Sequence, residues 1–367
     1  MSEIKKLIER LCPDGVEYRK LVDLAEVGTG NSNKQDSTDD GKYPFFVRSK
    51  FVERHNDYEY DEEAIIIPGE GGIGDIFHYI NGKYALHQRV YRIHFITNSV
   101  NAKFAYYYLR NSFKKYILGK AVSATVTSIR KPMIQNFEIP VPPIEVQCKI
   151  VEILDNFTEL EAELEAELEA RRKQYEYYRN QLLTFDKVGG VKYEKLGEVC
   201  EMRRGTSITK AKAIEGDVPV ISGGREPAFY IDRPNREGET ITVAGSGAGA
   251  GYVQYWNKPI FVNDAFSVKG SERLLTKYIY YCLTSMQEKI YSTKKGGGVP
   301  HVHVSSIENF EIPIPPMAEQ ERIVSILDRF EALTTDLQSG LPAEIEARKK
   351  QYEHYRNELL TFKRKAA

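Results

Sequence analysis

The sequence predicts an α/β (α+β) protein in which two globular blocks are separated by two long helices, the whole being an internal repeat. Three observations predict it. The segment EARRKQYEYYRNQLLTF (169–185) returns as EARKKQYEHYRNELLTF (346–362), with 14 of 17 positions identical and an offset of 177 residues. The segment NFEIPVPPIEVQCKIVEILDNF (136–157) returns as NFEIPIPPMAEQERIVSILDRF (309–330). Between these helical stretches, strand-like runs such as AIII, TITVA and PIFV alternate with Gly, Asn and Asp turns.

The starts of the blocks repeat as well. GVEYRKLVDLAEVGTG (15–30) parallels GVKYEKLGEVCEMRRG (190–205), AIIIPGEG (64–71) parallels TITVAGSG (240–247), and KFAYYYL (103–109) parallels KYIYYCL (277–283). A period of about 175 residues is far too long for a solenoid. The expected divisions are a globular block at 1–135, a helical block at 136–185, a second globular block at 186–308 and a second helical block at 309–367. One amphipathic helix is expected within each globular block, at 101–117 and 275–291. The helical blocks hardly differ between the copies, whereas the globular blocks differ strongly. One half of the unit therefore does the same job twice, and the other half performs two variants of a job.

Each helical block opens on proline punctuation, Pro140, Pro142 and Pro143 in the first, which then runs without Gly or Pro to Thr184. Apolar residues at Ile150, Ile153, Phe157, Leu160, Leu164, Leu168, Tyr175, Tyr178 and Leu182 make one seam at steps of mostly three and four. Roughly 40 helical residues would span about 60 Å, and a helix of that length needs a partner, for which the second copy is the obvious choice. Tyr175, Tyr178, Tyr352 and Tyr355 fit helix-pair contacts better than base-stacking platforms. The second copy is four residues longer at its centre and contains Ser339-Gly340-Leu341-Pro342. Gly340 suits a helix C-terminus and Pro342 the first turn of a new helix, so a break is expected there. The first copy carries instead the run ELEAELEAELEA (159–170), with complete EAEL units at 161–164 and 165–168.

Composition sets outer limits. The chain has 367 residues, 28% charged and 41% hydrophobic, ordinary for a soluble protein. Cys12, Cys148, Cys200 and Cys282 form no CxxC pair, which speaks against a zinc site or a disulfide framework and fits a reducing cytoplasm. The start MSEIKKLIER has no long apolar run, and no stretch approaches the ~18 apolar residues of a membrane helix. Net charge is −1, but it alternates: +3 over 1–135, −6 over 136–185, +3 over 186–308 and −1 over 309–367. Two mildly basic blocks agree with polyanion contact, and equally with solvated surface.

The order of blocks, the PPxxxQ openings (Pro142-Pro143…Gln147 and Pro315-Pro316…Gln320) and the ARRKQYEYYR exit resemble those of the specificity subunits of Type I restriction-modification enzymes, over essentially all 367 residues. The globular blocks match that family's target recognition domains in position and general pattern. The resemblance implies a non-catalytic reader of double-stranded DNA. Each recognition domain would read half of a split site. The two helices would pair as an antiparallel coiled-coil spacer in a pseudo-two-fold arrangement. Two methyltransferase subunits would dock on the chain, and restriction (motor-nuclease) subunits would join for cleavage. No cofactor is expected in this chain, although the implied methyltransferase would use S-adenosylmethionine. ELEAELEAELEA is similar to the tetrapeptide repeats that tune the gap between half-sites in the family, and the Gly340/Pro342 interruption also occurs there.

Base reading needs polar side chains at base edges and cations at phosphates. In the first block the candidates are Arg48, Ser49, Lys50, His87, Gln88, Arg89, Thr125, Ser128, Arg130 and Lys131. In the second they are Arg203, Arg204, Ser222, Arg225, Asn263, Asp264, Lys294, Lys295, His301 and His303. The internal alignment equates Gln88 with Asp264, Ser128 with His301, and Arg130 with His303, the kind of polar exchange expected of two readers of different sequences. Ordinary loop variation gives the same pattern, and the histidines serve equally well as structural groups. With nothing beyond His-Val-His at 301–303, no metal site is expected. GEGGIG (69–74) fits a dinucleotide fingerprint in letters only. That reading needs a helix next, whereas DIFHYINGKYAL reads as β-structure, so a glycine turn between strands is expected.

Two rivals complete the reading. A coiled-coil scaffold could carry two non-DNA ligand-binding domains. A fused restriction or methylation enzyme would need catalytic motifs. Pro13-Asp14 with Glu17 to Lys20 has the wrong spacing for a metal-dependent nuclease, and no NPPY-like methyltransferase motif is present.

Overall fold

A computed structural model describes residues 2–119, 128–186, 190–296, 298–335 and 340–366. Two compact units emerge, one formed by Met1–Glu163 with Ile345–Ala367 and the other by Leu164–Glu344. Their boundary falls inside a 39-residue helix, Ile144–Leu182.

In the first unit a six-stranded sheet runs in the order Ala25–Thr29, Val90–Phe95, Tyr60–Pro68, His78–Leu86, Tyr43–Phe46, Glu53–His55. Every pairing is antiparallel except Tyr43–Phe46 with His78–Leu86. The AIII run lies in the central strand. Ile65 and Ile67 enter the core beneath the helix Ala102–Gly119, while Ala64 and Ile66 join Phe46, Tyr84 and Leu86 in a second cluster. A continuous apolar run is what a strand buried on both faces requires.

The second unit repeats this order with one interruption. Glu201–Arg204, Ala265–Lys269, Thr240–Ala244 and Val253–Trp256 form an antiparallel sheet, and Phe261–Val262, Val218–Ile221 and Phe229–Ile231 form another. The single strand His78–Leu86 of the first unit corresponds to Val253–Trp256 and Phe261–Val262, split by Asn257-Lys258-Pro259. Pro259 has no N–H to give a ladder, so the sheet divides there. The helix expected over 275–291 is likewise broken, into Thr276–Ser285 and Gln287–Tyr291. The Thr284 and Ser285 hydroxyls donate to the Tyr281 and Cys282 carbonyls, at 3.0 and 2.8 Å, in the final turn. Gln287 then turns aside, donating to the Gly251 carbonyl at 2.8 Å and accepting the Val253 N–H at 3.2 Å.

The PPxxxQ motif is a lock between block and helix. Gln147 is fully buried. Its Nε2 donates to the carbonyls of Pro142 (2.7 Å) and Ser99 (2.8 Å), and its Oε1 accepts the Asn101 N–H (2.8 Å) at the start of Ala102–Gly119. Gln320 repeats this with Pro315, Arg273 and Leu275 at 2.9, 2.9 and 3.0 Å. Two helical turns further on, Asp155 accepts Lys103 (2.7 Å) and Tyr107 (2.5 Å), and Asp328 accepts Tyr281 and pairs with Lys277.

Helix pairing is antiparallel inside each unit. In the first, Phe157 meets Tyr352 and Tyr355 with ring centroids 6.2 and 5.5 Å apart, and Glu161 pairs with Lys349 at 3.5 Å in Leu341–Leu359. In the second, Tyr178 stacks on Phe330 at 5.6 Å in Met317–Thr335, and Tyr175 joins the core. The tyrosines are thus helix contacts, as the sequence suggests. The seam differs in detail. Val146, Ile150 and Leu154 are buried, four residues apart, whereas Ile153 is only half-buried, because here the helix packs on its own globular block as well as on a helix. Of the break expected at Ser339-Gly340-Leu341-Pro342, Ser339 lies outside the described residues, and Gly340 stands at the start of a helix rather than at the end of one. Its carbonyl accepts the N–H groups of Ala343 (3.0 Å) and Glu344 (3.2 Å), so it opens Leu341–Leu359, with Pro342 in the first turn.

Candidate functional site

At one end of the first unit's sheet, five loop segments are tied by backbone hydrogen bonds. Ser32 N–H donates to the Leu86 carbonyl, His87 to Phe46, Gln88 to Ser32, Gly69 to Arg89, and Ile129 to Gly69, at 2.7–3.3 Å. The second unit reproduces the frame. Thr206 donates to Val262, Asn263 to Ile221, Gly245 to Asp264, and Val302 to Gly245, at 2.8–3.0 Å. Ser128 and His301 flank equivalent residues, Ile129 and Val302, but the first turn is one residue longer than the second, so Asp264 stands in the place of Arg89 and not, as the internal alignment has it, of Gln88. The glycine-rich segment 69–74 is a turn between strands Tyr60–Pro68 and His78–Leu86, and a strand follows it where a dinucleotide site needs a helix. Gly71 is required there. Its φ is +79°, and an added Cβ would lie 2.8 Å from the Arg48 carbonyl oxygen.

The first frame encloses a cavity of about 300 Å³ lined by Lys34, Arg48, Ser49, Glu70 and His87. Glu70 accepts from Arg48 Nη1 at 2.8 Å and Arg89 Nη1 at 3.1 Å. Arg48, and after it Arg89, holds the Glu70 carboxyl below its ordinary range. His87 is buried, and its Nδ1 accepts the Arg89 N–H at 3.0 Å. Burial, with the Arg48 and Arg89 charges, lowers its pKa and keeps the ring neutral. Gln88 is exposed and donates to Asn33 Oδ1 at 2.5 Å. Ser49 Oγ caps the Phe51 N–H, and the Lys50 ammonium lies over the Phe51 ring at 5.1 Å. Arg130 and Lys131 are exposed at the start of the short helix Lys131–Gln135. Thr125 lies outside the described residues.

The second frame encloses a cavity of about 190 Å³ lined by Arg204, Asn263, Asp264, His301 and His303. Asp264 accepts the Ser246 hydroxyl. Asn263 is committed to the scaffold, with its amide donating to Ser222 Oγ at 2.9 Å and its Oδ1 accepting the Ile208 N–H at 3.0 Å. The His301 and His303 rings lie parallel, 6.0 Å apart. Lys295 and His301 exchange backbone hydrogen bonds, which carries the lysine segment to the same edge. Lys294 lies over Tyr291 at 4.0 Å and Arg225 over Tyr252 at 4.8 Å. Arg203 does not join the group. It is next to Arg204 on a strand, so it faces the other way, pairs with Glu201 and lines a different hollow with Arg236 and Lys269.

Sequence reasoning missed Glu70 and its counterpart Ser246. The signal was present, since the aligned pair AIIIPGEG and TITVAGSG differs there between two polar residues. The two cavities present rigidly mounted hydrogen-bond donors and acceptors, which suits recognition. Among the described residues, no group of three or more His, Cys, Asp or Glu is placed to hold a metal ion. Nor is any helix among them long and apolar enough to cross a membrane.

The chain matches the family described as Type I restriction modification DNA specificity domain twice, over residues 13–170 and 189–347. It is 30% identical to a type I restriction enzyme specificity subunit of Haemophilus influenzae, over 99% of this chain and all of that one. It is 35% identical to the EcoR124I/EcoR124II specificity subunit of Escherichia coli, over 72% of each chain. Its fold is similar to the crystal structure of the Type I restriction-modification S subunit from M. genitalium, with a TM-score of 0.64, 20% identity, and coverage of 94% and 95% of the two chains. A chain from a study of complex assembly in the type I restriction-modification system matches with the same TM-score at 15% identity, over 95% of this chain and 98% of that one.

Proposed function

Since this chain belongs to the family of type I restriction-modification specificity subunits, we propose that each of its globular blocks reads one half of an asymmetric, bipartite site in double-stranded DNA. One observation carries this reading: two equivalent loop frames are conserved in backbone bonding but lined by different polar side chains. The base-reading group would be drawn from Arg48, Gln88, Arg89, Ser128, Arg130, Arg204, Asp264, His301 and His303. Lys50, Lys131, Arg225, Lys294 and Lys295 suit phosphates, which position a protein without specifying sequence. His87, Ser222 and Asn263 would act by holding these loops.

In the same reading the chain performs no chemistry itself. Its helices space the two blocks and dock two methyltransferase subunits that use S-adenosylmethionine, with restriction subunits joining for cleavage in the cytoplasm. The relatives named above give no support to the scaffold alternative. The test is to express the chain with its methyltransferase and map methylated adenines across a genome. The expected result is a split motif whose two halves differ. A palindromic motif would oppose the asymmetry, and absence of any motif from an assembled, active complex would overturn the specificity reading.

A further inference from the structure

We infer that Arg48 and Arg89, clamped by Glu70, read a guanine in the half-site of the first block. The inference rests on the DNA-reading function proposed above and assigns the base chemistry to particular side chains. Two guanidinium groups from different loops converge on one carboxylate, at 2.8 and 3.1 Å. The Arg48 and Arg89 side chains remain 43% and 58% exposed, so each has N–H groups facing solvent beside the cavity. Arginine presents five donors in a planar fork, and Glu70 engages Nη1 of each. What remains is a donor array already held in place.

Such an array fits two acceptor-rich partners, the O6/N7 edge of guanine and a backbone phosphate. Glu70 decides between them. Its ionised carboxylate offsets one of the two guanidinium charges and so opposes a phosphate by weakening the pull of these arginines on it. A guanine edge is neutral and meets no such opposition. The second block supports the assignment to sequence reading. Its frame places Gly223, Ser246 and Asp264 where the first has Arg48, Glu70 and Arg89. All three members of the clamp are absent together while the backbone bonding persists. A group needed to hold any DNA would be wanted in both blocks, whereas one that reads a particular base is wanted in one.

The experiment uses the chain assembled with its methyltransferase, and duplexes in which each base pair of the mapped site is replaced in turn. The wild-type complex should prefer a G·C pair at one position of one half-site by ~10–100-fold. In Arg48→Gln and Arg89→Gln, that preference should fall to within about threefold or move toward A·T, since glutamine matches the adenine N6/N7 edge. The other half-site and the gap should not change. Glu70→Gln keeps both arginines and should weaken the same preference without redirecting it. A change in preferred base cannot come from misfolding, and thermal melting of each variant guards the negative results. Uniform loss of affinity for every duplex, with G·C preference intact, would mean phosphate contact and overturn the proposal. So would unchanged preference in both glutamine variants. If the wild-type complex shows no preference at any position, the specificity reading itself fails, an outcome distinct from either.

Discussion

Replacing Gln147 by alanine should destabilise the first unit by about 2–4 kcal/mol. The side chain is fully buried and makes three hydrogen bonds, to Pro142 O, Ser99 O and Asn101 N–H, at 2.7–2.8 Å. Each bond contributes roughly 1 kcal/mol net, and partners left buried without a bond add to the cost. For a unit of this size the melting temperature should fall by roughly 5–15 °C. Glutamate at 147 sharpens the test. Its oxygen can still accept the Asn101 N–H, but an ionised carboxylate would face two carbonyls where the amide donated. The folded-state pKa of that glutamate should therefore rise above its unfolded value of ~4.3. A raised pKa means that the protonated form favours folding. Stability is then greatest below the unfolded pKa and is lost as pH rises through the folded one. Gln147→Glu should accordingly lose more stability at pH 8 than at pH 5, while Gln147→Ala should lose the same at both. Thermal and urea unfolding followed by circular dichroism measure this, and Gln320 variants provide the equivalent pair in the second unit. An alanine variant melting within 2 °C of wild type would refute the lock, as would a pH-independent glutamate variant.

The EAEL units should set the gap between half-sites. Adding one extends a helix by about 6 Å and turns it a net ~40°, against ~3.4 Å and ~35° per base pair. With helix tilt shortening the projection, methylation mapping of variants with one and three units should show unchanged half-sites and a gap shifted by about one base pair per unit. An unchanged gap in active variants would assign the spacing elsewhere. Exchanging residues 15–135 for the corresponding block of another family member should change one half-site in the same assay and leave the other alone. Cysteine labelling of the native protein should be fast at Cys148, which is exposed, and slow at Cys282, whose burial pushes its thiol up to about 12. Equal labelling rates would contradict that packing.

Much of the architecture was legible because it is periodic. A helix advertises its buried face in steps of three and four, and a duplicated chain supplies its own alignment, so Gln147 and Gln320 can be matched before any coordinates, whereas Asp264 aligns with Gln88 in sequence and with Arg89 in structure because the two turns differ in length. The misses have local causes. Periodicity places Ile153 in the seam where the structure buries Leu154, because it cannot say that the first turns of Ile144–Leu182 face a globular block as well as a helix. The break at Met286 depends on Gln287 finding the Gly251 carbonyl, 36 residues away. In the sequence Glu70 is one letter of a glycine-rich turn, and its two arginines are 22 and 19 residues distant.

By itself, then, the sequence determined the repeat, the alternation of globular and helical blocks, the strand and helix types, and the loops in which polar residues would differ. These depend on neighbouring residues and on similarity within one chain. Tertiary structure decided which loops meet. Only the sheet order brings residues 30–34, 46–50, 69–71 and 86–89 to one end of the first unit, where Glu70 clamps two arginines while His87 disappears into the scaffold. The physical reason is that a strand pattern specifies which face is buried but not which strand lies alongside. That choice belongs to cross-strand pairing and core packing summed over the whole unit.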